Sequence, residues 1–282
     1  MGMRIGSVRC VSAGGFHKMA YAEWGSPSAG RTVVCVHGLT RTGRDFDRFA
    51  GALEDRFRVV CPDVVGRGIS DRLRDPSGYG FPQYVNDLTV LMARIDAETV
   101  DWVGTSMGGL IGMTMAAADG SPVRRLVLND VGPLVSKQGL ERIRSYLETD
   151  WTFETAEGAE AHVRAVYAPF GSLSDDEWRH IVDHTVRCDE DGVWRMIFDP
   201  AIVEPMRQEP VEDVDLWPIY DRITCPVLLV RGAQSDIVTD AVAAEMKQRG
   251  PRADVIEFQD CGHAPTLMPA EQIAAVREWL IG

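Results

Sequence analysis

The chain runs Val100-Asp101-Trp102-Val103-Gly104-Thr105-Ser106-Met107-Gly108-Gly109 and continues through a helix-compatible stretch from Leu110 to Ala118. An apolar, β-branched run that enters Gly-x-Ser-x-Gly and leaves as a helix predicts strand, sharp turn, helix, with one hydroxyl at the apex. Few folds accommodate such a turn. The central residue is forced into strained backbone, and a Cβ at position 104 or 108 would collide with the strand or the helix. The serine is thereby held at the carboxyl end of a sheet, beside the unsatisfied N–H groups that open a helix.

A five-residue string of this kind also occurs by chance, so its partners must be found elsewhere in the chain. Residues 4–12 and 16–24 flank Ala13-Gly14-Gly15, a hairpin signal. Thr32–Val36 is a continuous apolar run suited to a strand buried on both faces, Arg125–Asn129 reads as another buried strand, and Arg58–Pro62, Pro226–Arg231 and Asp254–Phe258 read as further strands. Helical spacing falls between them, over Arg44–Glu54, after Pro82 to Ile95, over Asp240–Arg249 and from near Pro269. This alternation predicts an α/β fold with a mostly parallel sheet and right-handed crossovers.

Residues 134–217 break the rhythm. No strand-like run stands out there. Helices are predicted over Gln138–Leu147, Ala156–Tyr167 and Ser174–Val186, the last with a Ser174-x-x-Glu177 capping box. Four of the seven tryptophans lie in this stretch, which marks it as a helical cap (lid) inserted into a core of residues 1–133 and 218–282.

Ser106, Asp236 and His263 each follow the carboxyl end of a predicted strand, the edge where open α/β sheets bind ligands. A serine hydroxyl needs a base, and an imidazole can take its proton and return it to a leaving group. A carboxylate behind the imidazole fixes its tautomer and stabilises the imidazolium. The turn at His37-Gly38-Leu39 brings a second backbone N–H toward the apex, so an oxyanion hole is expected from the N–H groups of Leu39 and Met107. His37 itself is expected to be structural. The glycine-rich loop Asp63–Ser70 lacks a phosphate-binding signature and reads as a turn braced by Arg67 and Asp71. His180 and His184, four apart, lack the glutamate of His-Glu-x-x-His, and no metal is expected.

Together these motifs resemble the α/β-hydrolase-fold serine hydrolases with a helical cap. The resemblance rests on His37-Gly38, Asp63-x-x-Gly66-x-Gly68-x-Ser70, Gly104-Thr105-Ser106-Met107-Gly108-Gly109, Gly232-x-x-x-Asp236 and Gly262-His263, and covers nearly the whole core. It implies a mostly parallel eight-stranded sheet flanked by helices, with Ser106 as nucleophile, His263 as base, Asp236 as acid and no cofactor. One departure matters. Many relatives place the acid three residues after the glycine that ends this strand, where this chain has Ser235. Asp130, after the preceding strand, is the alternative acid, and Asp260 a third. Serine at the apex sets aside the epoxide hydrolases and haloalkane dehalogenases of this fold, which use aspartate there.

The expected activity is hydrolysis of a small or medium carboxylic ester with an apolar or aromatic part, through an acyl-enzyme. The alternatives are carbon–carbon hydrolysis of ring-cleavage products, a lactonase, or a ligand receptor on the same fold. A net charge of −13 over 282 residues disfavours nucleic acid and anionic membranes as partners, and a small-molecule substrate is expected. Neither a signal-peptide core nor an apolar run of spanning length stands out, and the six cysteines form no Cys-x-x-Cys pair, so a cytoplasmic location is expected. Oligomeric state is left open.

Overall fold

The computed structural model describes residues 2–147, 151–208 and 210–282. Strands β1 (Arg4–Ser12) and β2 (Gly15–Trp24) form the expected hairpin, paired antiparallel from Arg4 with Glu23 to Ser12 with Gly15. Six further strands are mutually parallel: β3 (Thr32–Val36), β4 (Arg58–Pro62), β5 (Val100–Thr105), β6 (Val123–Asn129), β7 (Val227–Gly232) and β8 (Asp254–Phe258). The eight-stranded sheet has the order β1-β2-β4-β3-β5-β6-β7-β8, with β2 antiparallel to β4.

The continuous apolar runs of the central strands have a direct structural counterpart. Val34, Val36 and Val60 pack into one apolar cluster, whereas Val33, Cys35, Val59 and Cys61 pack into the other, on the opposite face. Both faces of the sheet are covered, so alternation of polar and apolar residues is lost. Each fully buried valine or leucine contributes about 1.5–3 kcal/mol. The coverage comes from helices α1 (Asp47–Leu53), α2 (Phe81–Arg94), α3 (Met107–Ala116), α7 (Asp240–Met246) and α8 (Ala270–Ile281). The six cysteines are all free, four of them buried as small apolar groups. Among the described residues no helix is long and apolar enough to cross a membrane.

Between β6 and β7 the chain forms α4 (Lys137–Leu147), α5 (Ala156–Val166) and α6 (Asp175–Asp183). The capping box is present in full, with Ser174 and Glu177 each bonded to the other's backbone N–H. The expectation of no strands in this stretch is corrected. Thr152–Phe153, Trp194–Met196 and Val186–Cys188 form a three-stranded antiparallel sheet, and Leu134–Val135 pairs with Val214–Asp215. The helix expected to run to Val186 stops at Asp183 because Val186 enters that sheet. Two- and three-residue strands are too short to carry a period-2 pattern.

The sheet order turns back between β3 and β5, the crevice where open α/β sheets hold their ligands. Val36 at the end of β3 lies opposite Gly104 of β5, and Thr105 opposite Asn129 of β6. The segments after β3, β5, β6, β7 and β8 therefore emerge along one edge.

Candidate active site

Ser106 sits at the turn from β5 into α3 with φ +51° and ψ −116°, a strained conformation for a residue with a side chain. The packing of three elements imposes it. A Cβ on Gly108 would lie 2.0 Å from the carbonyl oxygen of Val36, and one on Gly104 would lie 2.3 Å from that of Gly108. The buried Trp102 of β5 donates its indole N–H to Gly108 O at 2.9 Å, fixing the first turn of α3 against the strand. The Ser106 backbone N–H is taken up by Asn129 O at 3.0 Å, which leaves its hydroxyl facing the edge.

His263, in the loop after β8, completes the next link. Its Nε2 lies 3.0 Å from Ser106 Oγ, and its Nδ1 lies 2.8 Å from Asp130 Oδ2. Asp130 is fully buried at the end of β6, with φ +54°. Its carboxylate accepts two further hydrogen bonds, from Gly232 N at 3.1 Å and from Ser235 Oγ at 2.6 Å. Three donors on one carboxylate fix it in place.

The expected acid, Asp236, does not reach the imidazole. It points the other way and forms a bidentate ion pair with Arg142 of α4, through Nε and, at 3.0 Å, through Nη2. The one-residue offset is the cause. Position 235 faces the site and holds a serine whose hydroxyl supports Asp130, so its neighbour faces outward. Asp260 makes no contact with the ring either; its backbone lies against Gly171.

The turn after β3 is built as expected. His37 Nδ1 donates to Gly38 O at 2.7 Å, and its Nε2 accepts from Val64 N at 3.0 Å. Burial pushes this imidazole down to about 4, so it is neutral and structural. Arg67 is fully buried and donates to Leu39 O at 2.8 Å and to Val65 O at 2.7 Å, which orients the peptide after Leu39. Asp63 closes the glycine-rich loop by accepting from Gly43 N and Ile69 N, and burial pushes its carboxyl up to about 6. Asp71 braces the loop from the hairpin side by accepting from Lys18 N at 2.7 Å. A Cβ on Gly38 would lie 3.7 Å from Ser106 Cβ, so this turn abuts the apex serine. Among the described residues, no acceptor takes up the backbone N–H of Leu39 or of Met107.

Ser106 and His263 line a cavity of about 70 Å³ with Leu39, Arg142, Tyr167 and Phe170. A second, more apolar cavity of about 420 Å³ begins at Leu39 and Met107 and runs past Tyr84 and Leu140. A larger one, about 640 Å³, lies by Arg44 and Trp194 and includes no member of the Ser106 chain. Sequence reasoning left open which cap aromatics serve the site. Tyr167 and Phe170 do: they stack with centroids 5.0 Å apart, and Tyr167 OH bonds Thr40 Oγ1 at 2.9 Å. Arg41, which carried no sequence signal, lies over the Tyr167 ring at 4.7 Å and spends its guanidinium on Asp45 and Thr185. The same stretch touches the imidazole loop, because Gly262 N donates to Pro169 O at 2.7 Å.

Among the described residues two clusters bring metal-ligating atoms within 4.8 Å of one another, Cys10 with His17 and Asp87, and Asp47 with His180 and His184. Neither lines the cavity at Ser106. His17 is bonded to Asp87 at 2.8 Å, while His180 and His184 each bond a backbone carbonyl.

Residues 33–276 match the alpha/beta hydrolase family. The chain is 46% identical over 287 residues to the 3-hydroxybutyrate-oligomer hydrolase of Cupriavidus necator, an alignment that covers 99% of this chain and 98% of that one. A crystal structure from Rickettsia typhi superposes with a TM-score of 0.92 at 30% identity, covering 100% and 99% of the two chains. An alpha/beta hydrolase from Novosphingobium aromaticivorans gives 0.87 at 35% identity, with 98% of each chain covered.

Proposed function

The chain belongs to the alpha/beta hydrolase family and is a hydrolase, and from that premise we propose that it cleaves carboxylic esters, with Ser106 as nucleophile, His263 as base and Asp130 as the acid behind it. The observation that carries the reading is the imidazole bonded on both sides, 3.0 Å from a hydroxyl and 2.8 Å from a buried carboxylate. Ser106 Oγ attacks the ester carbonyl while His263 Nε2 takes its proton. The oxyanion is received by the Leu39 and Met107 N–H groups, each worth about 3 kcal/mol in the transition state. The proton passes to the departing alcohol, and water then repeats the attack on the acyl-enzyme. Asp236 has no place in this scheme as the acid.

Residues 134–217 act as the lid in this reading, contributing Arg142, Tyr167 and Phe170 to the cavity wall. The substrate we put first is a short oligoester of a hydroxy acid. Two observations support it: the 46%-identical relative carries the name of a 3-hydroxybutyrate-oligomer hydrolase, and the cavity beside Ser106, at about 70 Å³, admits only a short unit.

The test is a panel of hydroxybutyrate dimer and trimer, aryl esters, lactones and vinylogous diketo acids, with Ser106→Ala as control. Oligoesters and short aryl esters are expected to be cleaved, and Ser106→Ala to lose about six orders of magnitude in turnover. Faster turnover of the diketo acids or lactones, or ester cleavage by Ser106→Ala at the wild-type rate, overturns the reading.

A further inference from the structure

The family position for the acid holds a serine here, and the displaced aspartate holds an arginine. Arg142 comes from α4 in the inserted stretch, and Asp236 from the loop after β7. Their pairing places a cation in the wall of an otherwise largely apolar cavity lined by Phe46, Ile143, Val166 and Ile181 beside Ser106. Resting on the ester-hydrolase reading above, we propose that Arg142 binds the free carboxylate at the end of an oligoester, and that Asp236 is the positioning residue that aims it.

A guanidinium has two edges that can each grip a carboxylate. Asp236 occupies the edge formed by Nε and Nη2. Among the described residues no acceptor meets Nη1, so the edge formed by Nη1 and the second hydrogen of Nη2 is open. Arg41, the other cation of the cavity, has no such edge. It is 5% exposed and its donors are spent on Asp45 and Thr185. Arg142 is a third exposed at its side chain, enough to meet a ligand and too little to be fully screened by water.

The two cavities then divide the substrate. The cavity bearing Arg142, about 70 Å³, is much the smaller of the two and takes the short terminal unit. The 420 Å³ cavity beyond Leu39 and Met107, with its apolar wall, takes the rest of the chain. In a hydroxy-acid oligomer the carboxylate-bearing unit is the alcohol part of the last ester bond. Ser106 Oγ forms its bond to the penultimate carbonyl carbon as the C–O bond to the terminal unit breaks. The serine proton passes through His263 Nε2 to the departing oxygen, and the terminal unit leaves as a free hydroxy acid. Water hydrolyses the acyl-enzyme, releasing an oligomer one unit shorter with a new carboxylate. Each turnover consumes one water and one ester bond, from the carboxylate end.

The experiment compares hydroxybutyrate trimer with its methyl ester as substrates for wild type, Arg142→Gln, Arg142→Lys and Asp236→Asn, and follows the first products from the tetramer. For wild type, kcat/KM is expected to favour the free acid by on the order of 10–100-fold. Arg142→Gln is expected to bring the ratio to within about threefold of unity, whereas Arg142→Lys, which keeps the charge without the fork, is intermediate. Asp236→Asn is expected to raise KM for the free acid more than it lowers kcat. The ratio is taken within each variant, so a general loss of activity cancels. Monomer and trimer, rather than two dimers, are expected first from the tetramer. Equal rates on acid and methyl ester in wild type, or dimers as first products, overturn the carboxylate assignment while leaving ester hydrolysis in place. Failure to cleave either trimer overturns both readings.

Discussion

Asparagine at position 130 tests the hydrogen-bonded chain at its buried end. The carboxylate there accepts three hydrogen bonds: His263 Nδ1 and Ser235 Oγ on Oδ2, and the backbone N–H of Gly232 on Oδ1. An amide offers one acceptor oxygen and one NH2, so one side must face donors. If the NH2 takes the Oδ1 side it confronts the Gly232 N–H, which cannot turn away, and a buried unpaired donor costs about 1–3 kcal/mol. If it takes the Oδ2 side, one N–H meets the imidazole, which shifts its proton from Nδ1 to Nε2 to accept it, and the other points at Ser235 Oγ, which already accepts from the N–H groups of Ile237 and Val238. The ring can adapt and the Gly232 backbone cannot, so the second arrangement prevails, and it leaves Nε2 protonated toward Ser106, unable to receive the serine proton. The wrong tautomer is worth about 10⁴ in turnover, or about 5.5 kcal/mol of barrier. The assay is hydrolysis of a short aryl ester near neutral pH, with thermal unfolding to verify that the variant is folded. Asp236→Asn is the contrast: its carboxylate faces Arg142 and not the ring, and its loss is expected to stay within about tenfold. A folded Asp130→Asn enzyme within tenfold of wild type, or an Asp236→Asn enzyme that falls as far as Asp130→Asn, refutes the reasoning.

Three further outcomes follow from the same geometry. Ser235→Ala removes the 2.6 Å donor to Asp130 and the acceptor for the N–H groups of Ile237 and Val238. It is expected to cost about 2–3 kcal/mol, or roughly 4–12 °C in melting temperature, and an unshifted melting curve contradicts it. Gly108→Ala places a Cβ 2.0 Å from a backbone oxygen that cannot move without β3, so a loss of more than ~3 kcal/mol or failure to fold is expected, and a wild-type melting temperature counts against the packing described. Between pH 6.5 and 4 two buried groups oppose one another. His37, held down to about 4, refuses a proton that the unfolded chain accepts, so its contribution falls as pH drops. Asp63, raised to about 6, takes a proton that the unfolded chain refuses, so its contribution rises. Each is worth about 3 kcal/mol over that window. Asp63→Asn removes the second, and its melting temperature is expected to drop more steeply with acid than that of wild type; parallel profiles refute the assignment.

Ser106, His263 and the strand pattern were legible because each is encoded locally. Gly-x-Ser-x-Gly needs only its own neighbours, and the apolar runs of the central strands declare a sheet buried on both faces, with Asp254–Phe258 as its half-exposed edge. The carboxylate that bonds the ring was not local. Asp130 and Asp236 both follow strands that end at the same edge, and only the packing of two loops decides which carboxylate meets the ring. The signal available was Ser235, whose hydroxyl at the usual acid position belongs to a support rather than to the acid itself. Arg41 escaped notice because its partners, Asp45 and Thr185, carry no motif. The small sheets of the inserted stretch escaped because pairing, not composition, creates two- and three-residue strands.

The hydrogen bond from Gly262 to Pro169 has a consequence for how such a protein can diverge. The turn Ala168–Phe170 presents an aromatic wall to the ligand and, one atom away, anchors the peptide that precedes the imidazole. Cavity shape and ring position are therefore mechanically linked: a lineage that remodels this turn to admit a bulkier guest also shifts the loop that carries the His263 ring. Trimming the insert would unmoor that ring along with the aromatic wall beside it.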